Sequence, residues 1–275
     1  MSTPMKPSWL AQIGALFVLM ASFLSAQTAV IFVGDDKGNV GRIVAGQTSG
    51  IVVGSLTSSG FSANQVIGLA YDSDTNSILL FDRSAKTVYT MNASTGVTSV
   101  LFTTSTVEFQ GGAVYGGLVY GINENTQQLA AYTFAGVQQA LSNATLPGHV
   151  HSLATNPVTK TLFYLNNAGA LRSVGSDGND GTLLLSTSNS SAEDVAYFAG
   201  NYLVATYDRN LYLIDGSAGT RTTYLTSAEL TGIGVTGSVS GVVLEYIAVP
   251  EPSTWAMMLV GLAVIAWVGF RRRVS

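Results

Sequence analysis

Gly68-Leu69-Ala70-Tyr71 is a short pattern of one small residue, two apolar residues and a tyrosine, and it returns along this 275-residue chain. The other copies keep the small and apolar positions and mostly end in Tyr or Thr: Gly112-Ala113-Val114-Tyr115, Ser152-Leu153-Ala154-Thr155, Asp194-Val195-Ala196-Tyr197 and, more loosely, Gly232-Ile233-Gly234-Val235. A recurrence about every 40 residues indicates a repeated structural unit.

Three more strands are predicted after each clear copy. The prediction rests on short β-branched and aromatic runs that are bounded by Gly, Asn, Asp and Ser. In the four complete units these predicted strands are 78–81, 88–91 and 97–102; 118–120, 129–134 and 137–141; 162–165, 170–174 and 182–185; 202–205, 211–214 and 221–225. Four strands in about 40 residues are typical of one blade of a β-propeller. The sequence therefore predicts an all-β propeller.

A fifth blade can be assembled from both ends of the body. Strands 30–34, 40–44 and 51–56 come from its start, and 232–236 would add the innermost strand and close the ring. The strand-like stretch 242–247 is then left over, either leading out of the domain or belonging to a sixth, irregular blade. We expect five blades, with six blades or an irregular β-sandwich as the alternatives.

The blades resemble, loosely, those of YWTD and NHL propellers. The resemblance rests on Gly68-Leu69-Ala70-Tyr71-Asp72 with Leu79-Leu80-Phe81-Asp82 in one unit. In another unit it rests on Ser152-Leu153-Ala154-Thr155-Asn156-Pro157 with Leu162-Phe163-Tyr164.

The C-terminal 27 residues have three ordered parts. Val249-Pro250-Glu251-Pro252-Ser253 comes first, an uncharged apolar run follows, and Arg271, Arg272 and Arg273 come near the end. The proline pair breaks helix and sheet. A helix over about 254–270 is nearly long enough to span a bilayer, and the arginines would hold its end in the cytoplasm.

This tail resembles the PEP-CTERM sorting signal of Gram-negative bacteria, with Pro250-Glu251-Pro252 as its core. The resemblance implies processing by an exosortase near that core and transfer to the cell surface, in bacteria that make exopolysaccharide. The alternative is an ordinary tail anchor.

The N-terminus reads as a secretory signal peptide, 1–26, because Lys6 precedes an apolar run, 10–24, and small residues, Ser25-Ala26. The expected organisation is a signal peptide, an exported domain at 27–248 and a sorting and anchor segment at 249–275. The translocon and signal peptidase are then partners, and the precursor sits in the inner membrane with its body facing the periplasm. A permanent N-terminal helix is the alternative.

The composition of the body excludes some function classes. Between Val30 and Ala248 there are 8 basic and 15 acidic residues, a net charge of −7, so a nucleic-acid partner is not expected. The chain has no cysteine, which excludes disulfides, thiolate metal sites and a cysteine nucleophile.

Sites in propellers gather at the mouth of the central channel, near the start of each innermost strand. The residue pairs at that point of the repeat are Ile67-Gly68, Gly111-Gly112, His151-Ser152, Glu193-Asp194 and Thr231-Gly232. His151, Glu193 and Asp194 are the titratable members. They could hold a divalent metal such as calcium or act in acid–base chemistry, although polar residues lining a wet channel are the simpler interpretation.

Three other motifs have weaker signals. His149 and His151 share one face of a strand and could chelate a metal. Asp72-Ser73-Asp74-Thr75-Asn76 begins like a calcium loop but lacks the later ligands, and Asp177-Gly178-Asn179-Asp180-Gly181 is similar. For both stretches, a turn between strands is the simpler interpretation.

The sequence leaves three functions open. The first is a non-catalytic surface or matrix protein that binds glycan or protein in exopolysaccharide or biofilm. The second is an exported propeller enzyme, such as a lactonase-like hydrolase or a polysaccharide lyase. The third is a structural protein that assembles through exposed strand edges. Catalytic residues are not assigned, and no cofactor is expected apart from the divalent metal.

Overall fold

A computed structural model describes residues 28–62, 65–142, 145–187 and 192–247. Within them the chain forms twenty strands in five four-stranded antiparallel sheets. Each sheet is one blade of a propeller, so the all-β, five-blade prediction is confirmed. A sandwich would have placed the same strands in two sheets.

The blades follow one another along the chain, and only the first is built from both ends. Blade 1 contains β1 (Thr28–Asp35), β2 (Asn39–Val44), β3 (Gly50–Ser55) and β20 (Val239–Ile247). Blade 2 contains β4 (Val66–Asp72), β5 (Ser77–Asp82), β6 (Thr87–Asn92) and β7 (Thr98–Thr103). Blade 3 contains β8 (Phe109–Tyr115), β9 (Leu118–Asn123), β10 (Gln128–Tyr132) and β11 (Gln138–Gln139). Blade 4 contains β12 (Val150–Asn156), β13 (Thr161–Asn166), β14 (Ala170–Val174) and β15 (Asp180–Ser186). Blade 5 contains β16 (Ala192–Phe198), β17 (Asn201–Thr206), β18 (Leu211–Ile214) and β19 (Arg221–Leu225).

The innermost strands are β4, β8, β12, β16 and β20, and we call them the inner strands. Neighbouring inner strands contact each other in the described part of the ring, as in β4 with β8 and β12 with β16. We call the side on which they begin the mouth face and the side on which they end the turn face.

The strand that closes the ring was predicted wrongly. Residues 232–236 do not form it, because Ser227–Gly232 is a short helix, α1, and the chain then turns at Gly234, whose φ is 87°. Thr226 and Glu229 form a capping box at the start of α1, a local preference that outweighs the strand signal. The stretch taken as left over belongs to β20, which supplies the inner strand of blade 1.

The core lies between the blades, and alternate residues of one strand serve two interfaces. In β5, Ile78 and Leu80 pack with blade 1 residues such as Phe32, whereas Leu79 and Phe81 pack towards blade 3. The same alternation occurs in β13. Because both faces of each middle strand are buried, these strands read as continuous apolar runs.

The centre of the ring is crowded. A Cβ added to Gly68 would lie 2.6 Å from the Cα of Gly111, and one added to Gly111 would lie 2.8 Å from the carbonyl oxygen of His151. Side chains at these positions would force the inner strands apart, so glycine permits the close approach. This crowding explains why Gly68 and Gly111 carry no side chain in this part of the ring.

The polar stretches Asp72–Asn76 and Asp177–Gly181 contain turns between strands as predicted, although Asp72 is the last residue of β4 and Asp180 and Gly181 begin β15. The first joins β4 to β5, and the Asp72 carboxylate accepts a hydrogen bond from the Asp74 backbone N–H at 3.2 Å. The second joins β14 to β15, and Asp177 accepts one from the Asn179 backbone N–H at 3.1 Å.

Candidate functional site

The residues at the start of the inner strands lie at β-bulges. The extra residue is Gly111 in β8, His151 in β12 and Glu193 in β16, since the pairing with the neighbouring strand shifts there. A bulge re-aims the side chain of its extra residue. The repeat therefore places His151 and Glu193 at equivalent positions on adjacent blades.

A chain of polar side chains crosses the mouth face from blade 2 to blade 5. The Arg83 guanidinium lies 3.6 Å from Glu124 Oε1, which lies 3.7 Å from His149 Nε2. His149 Nδ1 and His151 Nε2 are 2.7 Å apart, so one of these nitrogens donates a hydrogen bond to the other. His151 Nδ1 lies 3.8 Å from Glu193 Oε1. We call this chain the mouth cluster.

Tyr207 and Gln110 complete the mouth cluster. The Tyr207 side chain is hydrogen-bonded to Glu193, although the residue is 59% exposed. The Gln110 amide donates to Glu124 Oε2. Glu193 itself is 5% exposed, and its Oε1 has no hydrogen-bond partner among the described residues.

Burial favours the neutral forms of the two central groups. Desolvation raises the pKa of Glu193 to about 8, against the pull of the hydrogen bond from Tyr207. Desolvation also lowers the pKa of His151, and the neighbouring His149 adds to that effect. Near neutral pH the site therefore combines a protonated carboxyl group with an uncharged imidazole, a pairing suited to proton transfer or to hydrogen-bonding a neutral ligand.

Asp194 has a different role from its neighbour. It is 0% exposed, and its Oδ2 accepts the backbone N–H groups of Leu69 at 3.2 Å and Val242 at 3.0 Å. Its Oδ1 accepts the N–H of Val195 at 2.9 Å. Burial raises its pKa, and these three donors act in the opposite direction. The carboxyl group thus joins blade 5 to blades 1 and 2 at the centre of the ring.

The metal hypothesis stays a prediction. The structure brings His151 and Glu193 together but places the Asp194 carboxyl group among backbone donors. Across residues 28–62, 65–142, 145–187 and 192–247, no group of three or more His, Asp or Glu side chains is arranged to hold a metal ion. Calorimetric titration of divalent metals into the wild-type chain and into His151→Ala would test the hypothesis directly.

Sequence reasoning missed Arg83, Glu124 and Tyr207. Each follows the last residue of the second strand of its own blade, and those last residues are all polar: Asp35, Asp82, Asn123, Asn166 and Thr206. Most cap the next loop, as Asp82 does when it accepts the Ala85 N–H at 2.8 Å. The same repeat that located His151 could therefore have located these three side chains.

A cleft of about 400 Å³ opens on the opposite, turn face. It lies between the ends of β4, β8 and β12, and its lining includes Tyr71, Asp74, Tyr115, Thr155 and Lys160. We call it the turn-face cleft. The sequence offered no signal for it beyond the polar turn at 72–76, because three separate blades contribute to it.

The tail matches a known protein family. The family model described as "PEP-CTERM protein-sorting motif" matches residues 248–273. The chain carries a PEP-CTERM sorting motif. The match includes Val249 to Ser253 and Arg271 to Arg273, the residues on which the resemblance was recognised. A PEP-CTERM motif implies an exported protein whose membrane-anchored precursor is processed by an exosortase and becomes a surface or extracellular protein.

The PEP-CTERM motif, the predicted membrane helix at 254–270 and the predicted signal peptide at 1–26 lie outside the described residues. Within the residues that are described, no helix is long and apolar enough to cross a membrane.

Solved structures with the same architecture are distant in sequence. A chain from the crystal structure of a nidogen/laminin complex matches with a TM-score of 0.55 at 10% identity, covering 78% of this chain and 98% of that one. A protein of unknown function from Bacteroides thetaiotaomicron matches with a TM-score of 0.50 at 13% identity, covering 72% of this chain and 55% of that one. No curated protein matches the sequence. These similarities bear out the propeller resemblance at the level of fold alone.

Proposed function

We propose that this protein is an exosortase-sorted surface or matrix component of a Gram-negative bacterium, and that its propeller is a non-catalytic binding module for exopolysaccharide. The main support is the direct joining of two parts. The strand that closes the propeller ends at Ile247, and the PEP-CTERM motif begins at residue 248. The sorting tail thereby directs a rigid, acidic propeller without disulfides to its destination. A propeller of this kind presents loops from several blades to a ligand.

The delivery step is tested by intact mass and by location. Cells with the exosortase should yield a chain that lacks residues 1–26, removed by signal peptidase after translocation, and that is cut near Pro250. Cells without the exosortase should retain Arg271 to Arg273 on a protein in the inner membrane. Retention of those arginines in both strains would mean that the tail is a plain membrane anchor and that the propeller faces the periplasm and has its partners there.

The binding role is tested by co-sedimentation of the full-length protein, in mild detergent, with extracellular polysaccharide from the producing cells. Saturable binding would support the proposal. Failure to bind that polysaccharide, in preparations whose propeller is folded by circular dichroism, would contradict it.

An exported enzyme is a second candidate, and the mouth cluster favours it. His151 as base and Glu193 as acid lie 3.8 Å apart at the channel mouth, the arrangement that hydrolases and lyases use for proton transfer. Activity on lactones and acidic polysaccharides, with and without chelator, would reveal it. Activity lost in both His151→Ala and Glu193→Gln would favour the enzyme over the binding module.

Surface assembly is a third candidate because several outer strands expose apolar side chains. Ile51 and Val52 in β3 are each 59% exposed, and Leu183 and Leu184 in β15 are also exposed. The outer strand of each blade has one unpaired edge, and exposed apolar side chains on it favour pairing with other chains. Light scattering that rises with protein concentration would support assembly, and a monomer at every concentration would contradict it.

A further inference from the structure

We infer that the turn-face cleft binds a neutral pyranose segment of a glycan. This inference rests on the proposed binding function and gives it a place and a ligand class. The cleft has a volume of about 400 Å³, within the range of roughly 300–1,000 Å³ that small-ligand pockets occupy. It lies on the face opposite to the mouth cluster, so the two sites can be tested independently.

The cleft has fixed aromatic walls. The single proton of the Tyr71 hydroxyl is shared between two acceptors, Asn76 Oδ1 at 3.0 Å and the Glu245 carboxylate, and the Tyr71 ring stacks on Phe32 with centroids 5.9 Å apart. Tyr115 packs against Tyr120 with centroids 6.3 Å apart. Rings held in this way lose little conformational freedom when a ligand arrives, and they offer flat apolar surfaces with polar edges. The C–H face of a pyranose ring is complementary to such a surface.

The polar rim of the cleft carries one free acceptor and one free donor. Asp74 and Lys160 are exposed, and in the described part of the chain neither side chain has a hydrogen-bond or ion-pair partner. Asp72 is different, since both its oxygens accept bonds within its own turn. A carboxylate accepts from hydroxyl groups and an ammonium donates to them. Their opposite charges balance, which favours a neutral, hydroxyl-rich ligand over a charged one.

The backbone keeps the cleft open. Gly116 and Gly117 form the turn between β8 and β9 with φ values of 57° and 77°, and a Cβ added to either would meet no atom within 4 Å. The floor is closed where the Thr155 hydroxyl donates to the Val114 carbonyl oxygen at 3.0 Å. The cleft is therefore a gap between three blades, with free space above a fixed floor.

The test uses full-length protein in mild detergent and measures binding of defined hexasaccharides by calorimetry. The probes are neutral hexamers of glucose, mannose and N-acetylglucosamine, an anionic galacturonate hexamer and a cationic glucosamine hexamer. We expect at least one neutral hexamer to bind more tightly than either charged hexamer. Lys160→Ala should weaken that binding by about 3- to 10-fold, the effect of one lost hydrogen bond, and Tyr115→Ala should weaken it further.

Lys86→Ala is the matched control. Lys86 and Lys160 are both lysines at left-handed turn positions, with φ values of 53° and 52°, but Lys86 lies on the mouth-face side and pairs with Glu108 at 3.4 Å. Its replacement should leave the affinity unchanged. Because Lys160 is exposed, Lys160→Ala remains informative if Tyr115→Ala fails to fold.

Two results would overturn the inference while leaving the proposed function intact. One is binding of a neutral hexamer that Lys160→Ala and Tyr115→Ala leave unchanged but Tyr207→Ala weakens, which would place the ligand at the mouth cluster. The other is binding of native extracellular polysaccharide together with only the charged hexamers, or with none. Failure of every hexamer and of the native polysaccharide would contradict both proposals.

Discussion

At the scale of single residues, two carboxyl groups that are adjacent in the sequence, those of Glu193 and Asp194, have different roles. Glu193 is the extra residue of a bulge and points to the mouth cluster, where its Oε1 lacks a partner among the described residues. Asp194, one residue later, points to the centre and accepts three backbone N–H groups. The sequence identified both as titratable residues at the inner strand, but their separate surroundings depend on the bulge.

Glu193→Gln should remove part of the pH dependence of stability. A carboxyl group whose pKa rises from 4.5 to about 8 on folding contributes stability that is fully present below pH 4.5 and is lost as the pH rises through 8. Between pH 7 and 8 the wild-type free energy of unfolding should fall by about 1 kcal/mol relative to that of the variant. Urea unfolding at several pH values measures this difference.

The control for that experiment is the same substitution at a surface position. Glu108→Gln removes a carboxyl group that is paired with Lys86. Its stability should keep the wild-type slope between pH 7 and 8. A Glu193→Gln variant with that same slope would show that Glu193 is ionised in the folded protein.

Asp194→Ala should destabilise the ring strongly. The substitution leaves the buried N–H groups of Leu69 and Val242 without an acceptor, and each such loss costs about 1–3 kcal/mol. Asp194→Asn keeps one oxygen at nearly the same place and should cost less. Thermal unfolding of the three proteins ranks them, and equal stabilities for Ala and wild type would contradict the bridging role.

At the scale of elements, the repeat predicted most strands because each blade obeys the same local rules. The bounds of β14, β18 and β19 agree with the prediction at both ends. The failure at 232–236 arose because a capping box and a left-handed glycine, both local features, interrupt an otherwise strand-like run. The mouth cluster was only partly predictable, since contacts such as Glu124 with His149 join blades distant in sequence.

Gly111→Ala should be far more costly than Gly116→Ala. Both glycines have positive φ, 62° and 57°, so both substitutions carry a similar backbone strain. Only at Gly111 would the new Cβ lie within 2.9 Å of neighbouring backbone atoms, whereas at Gly116 it would meet nothing within 4 Å. We expect at least about 2 kcal/mol of additional destabilisation at Gly111, measured by urea unfolding. Equal losses would show that the inner strands can separate.

At the scale of the whole molecule, ring closure sets a limit on processing. Blade 1 takes its inner strand, β20, from the C-terminal end of the body, next to β1. A chain ending at Ser238 should therefore fail to give a protease-resistant domain, whereas a chain ending at Ile247 should give one. Limited proteolysis and circular dichroism of both chains make the comparison. A resistant domain from the shorter chain would mean that β20 is dispensable.

The same closure also fixes an order of events in time. β1, β2 and β3 leave the ribosome early, yet their blade stays incomplete until residues 239–247 arrive. A domain that needs its last strand to fold stays incompletely folded until nearly all of its residues have been synthesised. We therefore expect the ring to close only after β20 has been delivered, just before the sorting motif that begins at residue 248.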